Sequence, residues 1–145
     1  MSLVICNITE GPLPSTAPHG PLLVPDPNIP ADPAAATDRH AGAQVVFCGV
    51  VRPTETDGSI TGLNYETYDP MTQQELEKLA HQLADKHQLL GIIVEHSRGF
   101  VAAGQVSFRL SVAAERRKAA LHATDEFIDT MKQRVPIWKV PVWSP

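Results

Sequence analysis

The sequence predicts an α+β fold, an antiparallel sheet carrying two long helices, and three observations support that prediction. Two segments repeat apolar residues at the 3, 4, 7 spacing of one helix face. Several short segments alternate apolar and polar residues with the period of two that a half-buried strand requires. The two patterns follow one another irregularly instead of in strict βαβ succession, which favours antiparallel pairing. The chain has 145 residues, 43% of them hydrophobic and 19% charged. That is the size and balance of one domain, residues 1–145, able to bury its core without disulfide staples.

Leu3–Ile8 reads as a short strand. Eight of the thirteen prolines lie within the first 42 residues, so Gly11–Pro30 reads as an extended surface loop. Ala31–His40 reads as a short helix with Asp32 near its start. Residues 1–42 are thus a proline-rich strand and loop region ahead of a core over 43–145. Ala43–Val51 is a β-rich apolar run ended by Arg52-Pro53. Asp57-Gly58 marks a turn, and Ser59–Tyr68 alternates, with Ile60, Gly62, Asn64 and Glu66 on one side and Leu63, Tyr65 and Thr67 on the other. The short connection predicts that these two strands pair. Asp69-Pro70 then suits a helix entry, with Asp69 as cap or Thr72 and Glu75 as a competing capping box. Leu76, Leu79, Ala80, Leu83 and His87 form the apolar face, and Gly91 closes the segment. Ile92–His96 is a short apolar strand. Gln105–Val112 alternates cleanly, Val106, Phe108, Leu110 and Val112 against Gln105, Ser107, Arg109 and Ser111. Ala114 to about Arg134 is the second long helix, with Ala120, Leu121, Thr124, Ile128, Met131 and Val135 as its buried stripe and Pro136 as its stop. The tail from Ile137 is apolar, aromatic and irregular.

Composition excludes several classes. Net charge is −4, but residues 1–97 sum to −8 and residues 98–145 to +4. An acidic chain with a basic final third does not suit nucleic acid; it suits one small anion, or one acidic tail, in a local pocket. No apolar run approaches the roughly 18 residues of a membrane helix, and the opening residues lack a signal peptide's basic start. Two cysteines, Cys6 and Cys48, make neither a disulfide framework nor a metal site. The expected setting is a reduced cytoplasm.

The chemistry rests on cations. Arg52 closes an apolar strand, Arg116-Arg117 open the last helix, Lys132 lies near its end, and Lys139 stands between Trp138 and Val140. Any one of these is by default a solvated surface charge, and Lys132 also suits a helix C-terminus. Together they suit a phosphate, which needs paired cations. A lysine among apolar groups or other cations loses part of its pKa, as a base near neutral pH requires. Arg117 and Lys132 lie fifteen residues apart on one helix, about 22 Å at 1.5 Å per residue, so a pocket using both must be built by two chains.

Phe47-Cys48-Gly49-Val50-Val51-Arg52, Gly58, Ile60, Leu63-Asn64-Tyr65-Glu66-Thr67-Tyr68 and Met71 together resemble, residue by residue, the molybdopterin synthase large, catalytic subunit family. So does Lys132-Gln133-Arg134-Val135-Pro136-Ile137-Trp138-Lys139, which is similar to the family's Lys-x-Arg-x-Pro-x-Trp-Lys signature. His96 and Gly99 resemble the ends of its His-Arg-x-Gly turn. The match is good over 43–139 and loose over 3–42. The resemblance implies an α/β-hammerhead fold and a homodimer core with one small ubiquitin-like sulfur-carrier subunit at each end, a heterotetramer. It implies that the carrier's thiocarboxylated Gly-Gly tail delivers two sulfurs to cyclic pyranopterin monophosphate (precursor Z), giving molybdopterin for molybdenum cofactor biosynthesis. By resemblance Lys132 and Lys139 are catalytic, and Phe47, Arg52, Arg116 and Arg117 bind substrate, the last two from the neighbouring protomer. No cofactor, metal, nucleic acid or membrane is implied.

Arg116 stands where the family usually has His, Ser97 where its turn has Arg, the N-terminal loop is longer, and little follows Lys139. These departures leave a second reading, a non-catalytic paralogue that still docks a ubiquitin-like carrier. A third, an enzyme using the Cys48 thiol, competes with Cys48 as a small buried core residue.

Overall fold

The computed structural model describes residues 2–14 and 41–145. The expected helix Ala31–His40 and most of the expected loop Gly11–Pro30 lie outside those residues. The elements run β1 (Leu3–Glu10), β2 (Ala43–Val50), β3 (Thr54–Glu55), β4 (Gly58–Thr67), α1 (Met71–Lys86), β5 (Gly91–Ala102), β6 (Val106–Ala114), α2 (Arg117–Arg134) and β7 (Ile137–Trp143).

Strand β5 organises the molecule because it serves two leaves of sheet. Its first half pairs antiparallel with β6, from Gly91↔Ala113 to His96↔Phe108. It also pairs parallel with β1, from Leu3↔Gly91 to Glu10↔Arg98. Its second half pairs antiparallel with β4, from Tyr65↔Gly99 to Gly62↔Ala102. Gly99 stands at the switch with φ +82°, a left-handed conformation that costs glycine little. A Cβ there would come within 2.5 Å of a Glu10 carboxylate oxygen. The main leaf is therefore β1-β5-β6-β2, and the wing is the end of β5 with β4, β3 and β7. This is the expected α+β sheet with two long helices, plus one parallel pair, β1 with β5, that the antiparallel reading did not include.

Both helices cover one face of the main leaf. Leu76, Leu79, Ala80 and Leu83 of α1 and Ala120, Ala123, Phe127 and Met131 of α2 pack on Ile92, Val94, Phe108, Leu110 and Val112. Each large apolar side chain so buried contributes about 1.5–3 kcal/mol. A smaller cluster, Val51, Ile60, Leu63, Tyr65 and Val101, holds the wing.

Several sequence expectations are corrected. Strands β2 and β4 do not pair: β2 lies on β6, while β4 makes its tight hairpin at Asp57-Gly58 with the two-residue β3. The chain is redirected just after β2, where the Val51 amide donates to the Gln105 carbonyl and the Gly104 amide to the Val51 carbonyl. A register shift between Ile60 and Gly62 turns Ile60 onto the face of Leu63 and Tyr65, against the simple alternation. Neither proposed cap forms at α1, which has no side-chain cap hydrogen bond. Asp69 pairs with Arg98 instead, and Thr72 Oγ1 accepts from the Tyr68 amide and donates to the Pro136 carbonyl, both at 2.8 Å. His96 and Gly99 lie within one long strand and mark no turn. Leu121 is exposed, and Phe127 takes its place in the buried stripe. The tail is a strand, β7, laddered on β4 from Thr67↔Ile137 to Ile60↔Trp143. Cys48 is exposed on the edge strand β2 and is no core residue.

Candidate functional site

The basic residues of the described chain divide into two groups. Lys86, Arg98, Arg109 and Arg134 each hold a carboxylate: Glu126 at 2.6 Å, Glu10 at 2.9 Å together with Asp69, Glu95 at 3.3 Å, and Glu75 at 3.7 Å. Arg52, Arg116, Arg117, Lys118, Lys132 and Lys139, like Lys78 on α1, make no ion pair among the described residues and are exposed. The five cations selected from the sequence are thus available to an anion, whereas Arg134, inside the signature, is spent on α1, where it also donates to Gln82 at 2.9 Å.

The structure collects these residues at two places. Arg116 is the residue before the first turn of α2 and Arg117 its first residue. With Gly42, Glu115 and Lys118 they line an open cavity of about 500 Å³. Backbone amides at a helix start add to the pull of these cations on an anion. Lys118 was missed in the sequence, although the run Arg116-Arg117-Lys118 was its signal. The second place lies at the other end of α2. Lys132 rides on the last turn, whose Met131 and Val135 are buried. The chain then breaks at Pro136, held by Thr72, and enters β7, where Lys139 stands opposite Tyr65 of β4. Within one chain these two places stay at opposite ends of the helix, in keeping with the two-chain argument. Lys139 is not in the apolar enclosure expected of it: its side chain is exposed, and its neighbours Trp138 and Val140 belong to the other face of β7.

Phe47 and Arg52 lie on and just beyond β2. The Phe47 ring is 39% exposed and sits 6.1 Å from Phe108. Phe108 is 5.7 Å from His96, and His96 is 5.2 Å, edge on, from Tyr65. Phe108 also stacks on Phe127 of α2 at 6.4 Å. The row Phe47–Phe108–His96–Tyr65 crosses the bend in the sheet and ends beside Lys139. Burial holds the His96 imidazole below its usual titration range, and the nearby Ser97 carbonyl offsets part of that effect. That carbonyl lies 2.7 Å from Nδ1. In the neutral ring Nδ1 therefore carries the proton and donates, which leaves Nε2 as the acceptor. Burial also pushes the Tyr65 phenol up, so it stays neutral, and its hydroxyl sits 2.8 Å from Ser107 Oγ.

Sequence reading also missed the buried ion pair. Arg109 is 1% exposed and reaches Glu95 and the Pro14 carbonyl. Arg109 had been placed with Ser107 and Ser111 on a polar face, and that face is buried. Among the described residues no three His, Cys, Asp or Glu side chains are grouped as metal ligands would be, and no helix is long and apolar enough to cross a membrane.

Comparison with known proteins adds the following. The MoaE protein family model matches residues 26–134. The molybdopterin synthase catalytic subunit of Aspergillus niger is 35% identical over 118 residues, covering 79% of this chain and 66% of that protein. The structure of molybdopterin synthase from Staphylococcus aureus shares the fold, with a TM-score of 0.76 at 24% identity over 94% of this chain and 90% of that one. A complex of subunits 1 and 2 of the molybdopterin-converting factor from Helicobacter pylori matches with a TM-score of 0.66 at 28% identity, over 96% and 89% of the two chains. The chain spans 50% to 66% of the length of four fungal relatives that it matches.

Proposed function

Because the chain belongs to the MoaE protein family, we propose that it is the catalytic subunit of a cytoplasmic molybdopterin synthase, one domain that pairs with itself and with a small sulfur carrier. In two rounds, each using one thiocarboxylated tail of that ubiquitin-like carrier and leaving it as a carboxylate, it places two sulfurs on cyclic pyranopterin monophosphate. The observation that carries this reading is the set of exposed cations without ion-pair partners at the two ends of α2. Arg116 and Arg117, with Arg52, bind the phosphate and polar groups of the substrate; Phe47 meets its ring. Two protomers bring the arginine end of one helix to the lysine end of the other.

Lys132 is the main catalytic group. Sulfur transfer requires a proton delivered to the pterin side-chain oxygen as it leaves, and a cation beside the charge on the thiocarboxylate carbon's substituents. An ammonium on a packed helix has a fixed reach and suits the first task. Lys139, on an edge strand, holds the second position. The exposed flank of β7 leaves room for a carrier tail ending in glycines, whose backbone approaches closely for want of side chains.

The test is incubation of the protein with precursor Z and a thiocarboxylated carrier, reading out molybdopterin. Lys132→Ala should lose at least about a hundredfold in turnover, the scale of a lost acid–base group, and Lys139→Ala less at saturating substrate. Near-normal turnover by folded Lys132→Ala would overturn the assignment. No product from the intact protein, with carrier binding retained, would leave the non-catalytic paralogue.

A further inference from the structure

We propose that Tyr65, clamped by Ser107 and His96, is the positioning residue for Lys139; the inference rests on the role given to Lys139 above. Tyr65 stands directly across the β4–β7 ladder from Lys139. Directly opposed residues in an antiparallel pair share a face, with Cβ atoms about 4.5–5.5 Å apart. The flanking pairs Asn64↔Val140 and Glu66↔Trp138 fall on the other face. The root of the Lys139 side chain therefore rests beside Tyr65, with Leu63 and Thr67 only diagonal to it on that face. Strand β7 has no ladder partner other than β4 among the described residues, so β4 decides where Lys139 stands.

Tyr65 is itself unusually well fixed for a wing residue. It is 7% exposed, its ring meets His96 edge on, and its hydroxyl bonds Ser107 Oγ at 2.8 Å, a side-chain bond joining residues 42 apart in sequence. Ser107 belongs to β6 and His96 to the first half of β5, both on the main leaf, whereas Tyr65 belongs to the wing. The bond thus crosses the bend and locks the wing's angle against the leaf that carries α2. Lys132 is on α2 and Lys139 is on the wing, so this bond, together with the Thr72 hold on Pro136 at the α2–β7 junction, bears on how the two ammonium groups are placed. Small displacements of that kind are costly in turnover and cheap in binding, since reacting groups must be held close to their productive geometry.

The experiment uses Tyr65→Phe, Ser107→Ala and the double variant in the full chain with carrier and precursor Z. Each single variant should lower kcat roughly three- to tenfold, well short of the hundredfold that about 1 Å of misplacement can cost, with KM for the pterin unchanged. The double variant should be no slower than either single one, because both remove the same bond. A second readout does not depend on turnover. In protein carrying 13C-dimethylated lysines, the Lys139 signal should move in Tyr65→Phe while that of Lys78 stays in place. Normal kcat in both single variants with Lys139→Ala impaired, or losses that multiply in the double variant, would overturn the proposal. Normal turnover by Lys139→Ala would instead sink the catalytic reading of Lys139, and a moved Lys139 signal in Tyr65→Phe would still support the positioning.

Discussion

The main leaf and the wing share β5, yet they treat their side chains differently. At the centre of the main leaf, on β6 and the first half of β5, both faces are closed, while its edge strand β2 leaves Val46 and Val50 about half exposed. The helix side holds Leu110, Val112 and Phe127, and the reverse side holds Ser107, Ser111 and the Glu95–Arg109 pair, all buried. On the wing one face holds the small cluster around Leu63 and Val101, while Phe100, Trp138 and Val140 are 46%, 54% and 41% exposed. Closing both faces gives a rigid frame at the cost of burying charge. Leaving one face open gives up stability and keeps a surface on which a reactant or partner can be seated. Of the two lysines proposed as catalytic, Lys132 is carried by the frame, on α2, and Lys139 by the wing, on β7.

The largest expected effect breaks this contrast at the chemistry. Lys132→Ala and Lys139→Ala should differ in kcat, the first losing at least about a hundredfold; equal losses would mean that frame and wing contribute alike. Next comes the frame. Arg109→Ala leaves Glu95 charged and buried without its partner, so it should destabilise by about 3–5 kcal/mol, read from urea unfolding, whereas a joint Arg109→Met and Glu95→Leu replacement should come close to neutral. A smaller loss arises where the two leaves join. Gly99→Ala forces a left-handed backbone on a residue with a Cβ and should cost about 1–2 kcal/mol, by the same unfolding measurement.

The smallest effect is a pH slope from His96. Its folded pKa is depressed by burial, so the unfolded chain takes up the proton first. Stability due to this group is therefore held above about pH 6.5, the ordinary histidine value, and declines as pH falls below it until the folded ring also protonates. His96→Gln should flatten that part of the stability–pH profile; an unchanged slope would place the titration elsewhere.

How much of this was legible in the sequence follows the range of each interaction. The helix faces at Leu76–Leu83 and Ala120–Met131, and the strand at Val106–Val112, are local periodicities and were read nearly as they stand. The six candidate site residues were nominated from local runs too, and their roles are for the substitutions above to test. What failed was non-local. Nothing near Ala43–Val50 says that its partner is β6 and not the adjacent β4. Arg109 looks solvent-facing until Glu95 is seen opposite it. The tail looks irregular, with its aromatic residues and Pro141, until β4 supplies a ladder for it. Tyr65 stood in a run that carried the resemblance, but nothing local showed its bond to Ser107, a residue of the other leaf.

The parallel ladder of β1 on β5 has a kinetic consequence. It joins Leu3 to Gly91, and the ladder of β7 on β4 joins Ile60 to Trp143, so both close loops of many tens of residues. The β3–β4 hairpin closes a loop of two residues, and the β5–β6 ladder, which ends at His96↔Phe108, a loop of eleven. Loop-closure entropy is charged before such distant contacts return anything, so the hairpins are expected to form first and the outer strands, β1 and β7 with β2, whose ladder joins Ala43 to Ala114, to zip on last. The strand that carries Lys139 would then be among the last parts of the chain to arrive, and a newly made molecule would hold its hairpins before its proposed site was complete.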